Sequence, residues 1–366
     1  MSENDLRNFG STIQRLIKKE NLTKDEAYDC FVEVLKNRQP DLQQGAFLAA
    51  LVSKGETIEE LVGAWAAIVD VDTVSVSSDL PEILVENSGT GMDSLKTFNV
   101  SSAAAVVAAA CGATMVRHGA RALTSFCGTV DILERVGLDV ECQVKTIENS
   151  IIKEGIGLFN GMSPLIHPSA LGRILSQIRF GSTLNIAASL ANPARPTHGL
   201  RGVYSAALIP SVAKLMAQIG YKRGLVVHGR DDKLDGGMDE ISITGETIMQ
   251  EFSEAGLSSM TLRPEDVGLK TAVFADIATT GNIEQESIRF LEVLSGSGHG
   301  ACIDFTCLNA GAVLYISGIV ADIETGVQRS RDAIMSGAAI DKLQKWIVTQ
   351  SEDASKSAAV FKRLKW

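Results

Sequence analysis

From about residue 80 onward the chain repeats one texture: a short apolar run, a glycine, then a stretch with helical spacing. Residues 83–87 lead into Gly89, 113–117 into Gly119 and 224–228 into Gly229. Runs this short are strands. Strands that alternate with helices pair in parallel, because a parallel neighbour needs a crossover long enough to hold a helix. The texture therefore predicts an α/β fold with a central, mainly parallel sheet flanked by helices. Open sheets of that kind bind ligands at the carboxyl ends of their strands, so the residues after each run are where chemistry is expected.

The first 75 residues read differently. Three helix starts carry a capping box, in which two side chains satisfy free N–H groups reciprocally: Thr23 with Glu26, Asp41 with Gln44 and Thr57 with Glu60. Behind them apolar residues recur at helical spacing, as in Ala27, Phe31, Val34 and Leu35, then Phe47, Leu48 and Leu51, then Leu61, Ala64 and Trp65. The expected organisation is a small helical domain over 1–75, joined by part of 165–192, and a large α/β domain over 80–366. The stripes of the small domain read as packing and dimerisation faces, with little chemistry of their own. Within the large domain, the polar stretch 281–300 reads as a helix beside a Gly/Ser loop.

Composition narrows the function classes. A net charge of −10 argues against nucleic-acid binding, which relies on Lys and Arg facing phosphates. The six cysteines, at 30, 111, 127, 142, 302 and 307, form neither a C-x-x-C pair nor a zinc spacing, and read as reduced thiols of a cytoplasmic protein. No leader pattern opens the sequence and no apolar run is long enough to span a membrane, so no membrane partner is expected.

The loop Ser88-Gly89-Thr90-Gly91-Met92-Asp93 follows the first run, and its glycines let backbone N–H groups approach an anion with no Cβ in the way. Alone, such a turn is common. Here Lys96, Thr97 and Asn99 follow, and Ser101 and Ser102 open an alanine-rich helix, which brings hydroxyls, free N–H groups and the positive dipole end to one point. After the second run comes a basic cluster, Arg117-His118-Gly119-Ala120-Arg121. Then Thr124-Ser125-Phe126-Cys127-Gly128-Thr129 opens another helix, ending near Gly137. Two hydroxyl-rich helix starts so close in sequence suit a ligand with two phosphate-like groups. Far along the chain Asp239 and Glu240 follow a glycine turn. Mg²⁺ takes a few carboxylates and completes its shell with phosphate oxygens and waters, so this pair suits it.

Taken together and in order, these segments resemble the anthranilate phosphoribosyltransferase family. They are Gly89-Thr-Gly-Met-Asp93, Thr97-Phe-Asn-Val-Ser-Ser102, Arg117-His-Gly-Ala-Arg121, the stretch from Ser125 to Gly137, and Gly237-Met-Asp-Glu240. Asn192-Pro193 before Gly202-Val-Tyr204, and the closing stretch from Leu308 to Tyr315, extend the likeness over nearly the whole chain. The resemblance implies transfer of a 5-phosphoribosyl group from phosphoribosyl pyrophosphate to the amine of anthranilate, a step of tryptophan biosynthesis, with Mg²⁺ and release of pyrophosphate. It implies a homodimer formed through the helical domain, and catalysis by positioning and metal with no covalent catalyst. Donor binding is implied for Gly89, Thr90, Gly91, Asp93, Thr97, Asn99, Ser101, Ser102, Arg117, Ser125 and Gly128, and metal binding for Ser101, Asp239 and Glu240. His118 and Ala120 fall on the acceptor side.

The sequence also departs from the family. Met92 replaces a glycine, Arg117 replaces a lysine, and Ala120 stands where the family has an asparagine that contacts anthranilate. The register of the family's acceptor-binding arginine falls on Gln177, which leaves Arg173 or Arg179 to supply the charge. Three other readings therefore stay open: a related phosphoribosyltransferase with another aromatic or heterocyclic acceptor, a phosphorolytic nucleoside or nucleotide enzyme, and a non-catalytic binding paralogue. The phosphorolytic reading draws on the stretch from Thr124 to Asp131.

Overall fold

The computed structural model describes residues 2–121, 127–178 and 180–364. Its helices are α1 (Glu3–Ile17), α2 (Lys24–Leu35), α3 (Asp41–Lys54), α4 (Ile58–Asp72), α5 (Val100–Ala110), α6 (Thr129–Arg135), α7 (Val144–Glu154), α8 (Leu171–Ile178), α9 (Thr183–Ser189), α10 (Ile209–Gln218), α11 (Phe274–Ile277), α12 (Ile283–Ser295), α13 (Gly300–Ile316), α14 (Ile323–Met335), α15 (Ala338–Thr349) and α16 (Ala354–Arg363). Thr23 and Thr57 cap α2 and α4 with the expected boxes. The Asp41–Gln44 box does not form. Pro40 takes the cap position and its carbonyl accepts the N–H groups of Gln43 and Gln44, so Asp41 is already inside the helix. The Gln44 amide turns instead to Asn37 Oδ1 and the Gln39 carbonyl. A box that the sequence reading did not include, Ser2 with Asp5, starts α1.

Phe9, Leu16, Phe31, Phe47 and Leu51 from the N-terminal helices share one buried cluster with Leu171, Ile174, Leu184 and Ala187 of α8 and α9. The Trp65 indole N–H, donating to the Leu190 carbonyl over 2.9 Å, ties α4 to the end of α9. Two helices that are far along the chain are thus built into the N-terminal helical unit, and they bring it up to the carboxyl ends of the strands at 85–88, 115–119 and 198–202.

The strands among the described residues are β1 (Val85–Ser88), β2 (Met115–Gly119), β3 (Ile156–Asn160), β4 (His198–Gly202), β5 (Arg223–Arg230), β6 (Gly237–Met238), β7 (Thr247–Ser253) and β8 (Gly256–Leu262). The sheet runs β3-β2-β1-β4-β5-β7-β8, with β6 pairing on β5. From β3 to β5 every pairing is parallel; β7, β8 and β6 add antiparallel strands at one side. The order folds outward from β1: the chain adds β2 and β3 on one side of it and then crosses to add β4 and β5 on the other. Such a reversal opens a crevice above the carboxyl ends. The β1–β4 register pairs Ser88 with Arg201, which sets an arginine beside the start of the glycine loop.

Behind the sheet the main core gathers α5, α12, α13 and α15. Helix α5 has only Ala, Val and Ser between its ends, and Ala103 to Ala108 are fully buried, which lets α13 approach closely. Phe98 meets Phe305 of α13 edge-on at 6.1 Å between ring centroids, fixing the chain that enters α5 from the glycine loop. No helix among the described residues is long and apolar enough to cross a membrane.

Candidate active site

A cleft with a volume of about 300 Å³ lies where the carboxyl ends of β1, β2 and β4 face α8 and α9. Its sheet side consists of the glycine loop, the segment that leads into α5, the stretch 117–121, Gly128, Arg201, Asp239 and Glu240. Its helical side is largely apolar, with Leu171, Leu175, Leu184 and Ala188 beside His167 and Asn185.

The glycine loop closes on Asp239. A Cβ on Gly89 would lie 2.4 Å from the Asp239 carboxyl, and one on Gly202 would lie 1.5 Å from its backbone oxygen, so Asp239 fits only because both positions lack a side chain. Gly91 N–H and the Thr90 hydroxyl both donate to Asp239 Oδ2, and Gly91 holds a left-handed φ of 72°. Donors expected to face a phosphate oxygen thus face a carboxylate oxygen. Ligand atoms of Asp93, Asp239 and Glu240 lie within 4.8 Å of one another. Asp93, expected as a donor contact, belongs to this acidic group, while Ser101, expected at the metal, lines the cleft at the start of α5.

Crowding has an electrostatic cost. Burial first, and then the neighbouring Asp239, push the Asp93 carboxyl up to about 6, although Lys96 Nζ stands 2.7 Å from its Oδ1. Burial, together with Asp239 and Asp93, drives Glu240 well above the ordinary carboxylate range, and among the described residues its buried Oε2 has no hydrogen-bond partner. Three acids that repel one another, one with an orphaned oxygen, are a donor set that a hard divalent cation fits.

At the start of α5, Asn87 Nδ2 and one Arg117 NH group both donate to the Ser101 carbonyl at 2.7 Å. The same NH group reaches Asn87 Oδ1 at 2.7 Å, and the other reaches Thr129 Oγ1 at 3.1 Å, so the 2% exposed Arg117 staples β1, α5 and α6 together. Burial pulls its pKa down to about 10. Thr97, Asn99 and Gly128 line the cleft. Asn99 also donates to the Cys127 carbonyl at 3.1 Å, and the Gly128 N–H is taken by Asp131 at 2.9 Å. Ser102 does not line the cleft. One residue on from Ser101, it is turned about 100° around the helix and lies 1% exposed with its hydroxyl 3.4 Å from Thr129 Oγ1. Ser125 lies outside the described residues.

On the acceptor side, His118 Nε2 is 3.0 Å from His167 Nε2, and His167 Nδ1 is 2.7 Å from the Asp72 carbonyl. A carbonyl only accepts, so the neutral His167 carries its proton on Nδ1 and the His118 Nε2–H is the donor between the rings. Burial pushes His118 down to about 3 and also lowers His167, keeping both neutral. Ala120 lines the cleft and brings no polar group. Arg173 does not reach it: its guanidinium donates to Gln44 Oε1 and the Val34 carbonyl, because that face of α8 packs on α2 and α3. Gln177 is exposed and also off the cleft lining, and Arg179 lies outside the described residues.

Sequence reasoning missed Arg201 and Glu86. Arg201 is 2% exposed, lines the cleft, and donates to Ser88 Oγ at 2.6 Å and to Ser189 Oγ at 2.5 Å. Glu86, raised in pKa by burial, accepts from the His118 N–H at 3.2 Å, Asn192 Nδ2 at 3.1 Å and the Tyr221 hydroxyl at 2.9 Å. Only the pairing of β1 with β4 could have revealed Arg201, and nothing in the sequence near residue 201 signals that pairing.

The chain is similar in sequence and fold to known proteins. Residues 11–71 match the helical bundle domain of the glycosyl transferase family and residues 81–340 match its a/b domain. The anthranilate phosphoribosyltransferase of Haloarcula marismortui is 36% identical over 90% of this chain and 97% of its own length. That of Desulfotalea psychrophila is 35% identical over 92% and 95%. The crystal structure of the Thermus thermophilus enzyme superposes with a TM-score of 0.83 at 28% identity, over 92% of this chain and 98% of that one. The Saccharomyces cerevisiae enzyme, determined in complex with PRPP and Mg, has the same fold at a TM-score of 0.82 and 23% identity, over 96% of this chain and 99% of that one. With both domains matched and relatives above 30% identity covering nine-tenths of its length, the chain belongs to the anthranilate phosphoribosyltransferase family.

Proposed function

We propose that this chain transfers the 5-phosphoribosyl group of phosphoribosyl pyrophosphate to the amine of anthranilate, releasing pyrophosphate. One observation carries the reading beyond family membership: three mutually repelling acids lie against a glycine loop at the carboxyl end of a parallel sheet. Asp93, Asp239 and Glu240 would hold Mg²⁺, with Ser101 on the α5 side of the cleft. Bound there, the ion neutralises charge on the departing pyrophosphate.

The remaining work is positional. Displacement forms a bond from the amine nitrogen to C1 of the ribose and breaks the bond from C1 to the pyrophosphate oxygen, which keeps the electron pair; the amine then sheds a proton. Gly91 N–H and the Thr90 hydroxyl are the donors that a pyrophosphate oxygen would take over from Asp239. Gly89, Thr97, Asn99 and Gly128 line the path between that loop and the α5 and α6 helix starts, where the second phosphate would lie. Arg117 supports this surface from beneath by fixing Asn87 and the Ser101 carbonyl. The aromatic acceptor would pack against Leu171, Leu184 and Ala188, with His118 and Ala120 at its edge. Aligning amine and anomeric carbon can supply up to about 7–11 kcal/mol of the barrier reduction.

Calorimetry tests the reading. Phosphoribosyl pyrophosphate titrated into the wild-type protein with Mg²⁺ should bind, and the double variant Asp239→Asn, Glu240→Gln should lose that binding by about 100-fold or more while keeping its circular dichroism. Unchanged binding in the folded variant would overturn the metal and donor assignment.

A further inference from the structure

Among the described residues α8 brings no arginine into the cleft, and Arg179 lies outside them. The register position of the family's acceptor-binding arginine, Gln177, is exposed, and Arg173 is spent on Gln44 and the Val34 carbonyl. Yet the cleft holds a buried guanidinium that reached it from another element. Arg201, on β4, sits between the glycine loop and α9, held by the hydroxyls of Ser88 and Ser189. Both partners are neutral, and among the described residues no carboxylate forms an ion pair with it. Glu86 and Asp239 act on it only through their charge, and the Glu86 oxygens are engaged by Tyr221, Asn192 and the His118 N–H. Burial holds the Arg201 pKa below its ordinary value, so the charge is kept at an electrostatic cost.

Resting on the transfer reading above, we infer that Arg201 recognises the carboxylate of the acceptor, from the sheet side of the cleft. Location favours the acceptor over the donor phosphates. In an ortho-aminobenzoate the carboxylate stands on the ring carbon next to the one bearing the amine. With the ring against Leu184 and Ala188 and the amine directed at the donor, that carboxylate falls at the junction of α9 and the glycine loop. Ser189 and Ser88 hold Arg201 at this junction. A planar guanidinium with N–H groups beyond the two used by the serines can meet a carboxylate through two parallel hydrogen bonds.

The test varies substrate and protein together. With the wild-type protein, Mg²⁺ and phosphoribosyl pyrophosphate, replacing anthranilate by anthranilamide removes the charge and keeps the shape. It should raise KM by about 10- to 100-fold, the range for a hydrogen bond to a charged group. In Arg201→Gln the two acceptors should become equal within about threefold, the KM for phosphoribosyl pyrophosphate moving less than that, and Arg201→Lys should restore part of the preference. Because the site is buried, the melting temperature of each variant is measured alongside; the comparison of acceptors on the wild type needs no variant at all. Equal KM values for the two acceptors on the wild type would overturn the assignment. So would a retained preference in Arg201→Gln, or a parallel loss of donor affinity, which would place the guanidinium on the donor. Absence of any product from either amine on the wild type would instead overturn the transfer reading, and this assignment with it.

Discussion

Asp93→Asn is the most informative single perturbation of the acidic group. Asp93 is 8% exposed, and burial and Asp239 together move its titration from the ordinary 3.8 to about 6. Because the folded carboxyl holds its proton more tightly than the unfolded one, the associated stability is fully present below pH 3.8. It is lost as the pH rises through about 6. At pH 7.5 the metal-free fold therefore carries an ionised carboxyl at a cost of about 3 kcal/mol, at roughly 1.4 kcal/mol per pH unit. Asparagine has the shape of the protonated acid and removes that cost, and the shift to about 6 already includes the opposing pull of Lys96, so the lost pair is not subtracted again. In metal-free buffer at pH 7.5, Asp93→Asn should melt above wild type by about 2–5 °C, given ~1–3 kcal/mol over a chain of this size. At pH 4 the gap should close. Added Mg²⁺ should raise the wild-type Tm more than the variant's and reverse the order. A variant that melts below wild type in metal-free buffer at pH 7.5, or a gap that does not change between pH 4 and 7.5, would refute the reasoning.

Two further outcomes follow from the same geometry. Gly202→Ala drives a Cβ to 1.5 Å from the Asp239 carbonyl oxygen, where neither backbone can yield, so urea denaturation should show a loss of at least about 3 kcal/mol. His118, pushed down to about 3, stays neutral when folded while the unfolded chain gains a proton below about 6.5, so it costs stability as the pH falls. Relative to wild type, His118→Gln should therefore flatten the fall in stability from pH 6.5 to 4.5 by roughly 1.4 kcal/mol per pH unit, read from denaturation midpoints.

What the sequence made legible was local. The strands that reach a glycine at or beside their ends, at 85–88, 115–119 and 223–230, and the capping boxes of Thr23 and Thr57 follow from neighbours within a few residues. Strand β4, His198–Gly202, has two glycines and no β-branched residue, and its extended form comes from lying between β1 and β5. The glycine loop and the Asp239–Glu240 pair were each readable. That Gly91 and Thr90 donate to Asp239 was not, because the contact spans almost half the chain. The arginine candidates failed for a related reason. Counting the family register left Arg173 as a candidate without revealing that its face of α8 packs on α3, while Arg201 lay in a strand the sequence did not announce. Ser102 shows the limit at finer scale: reading a helix start does not say which of two adjacent hydroxyls faces the ligand.

The central claim is the transfer itself, and one mixture tests it: the purified chain with Mg²⁺, phosphoribosyl pyrophosphate and anthranilate, followed by the change in anthranilate fluorescence and by mass spectrometry. The account predicts N-phosphoribosyl anthranilate and pyrophosphate in equal amounts, with no product when Mg²⁺ is chelated. Tight donor binding with no ribosylated anthranilate, or phosphate-dependent release of a base from a nucleoside, would contradict it.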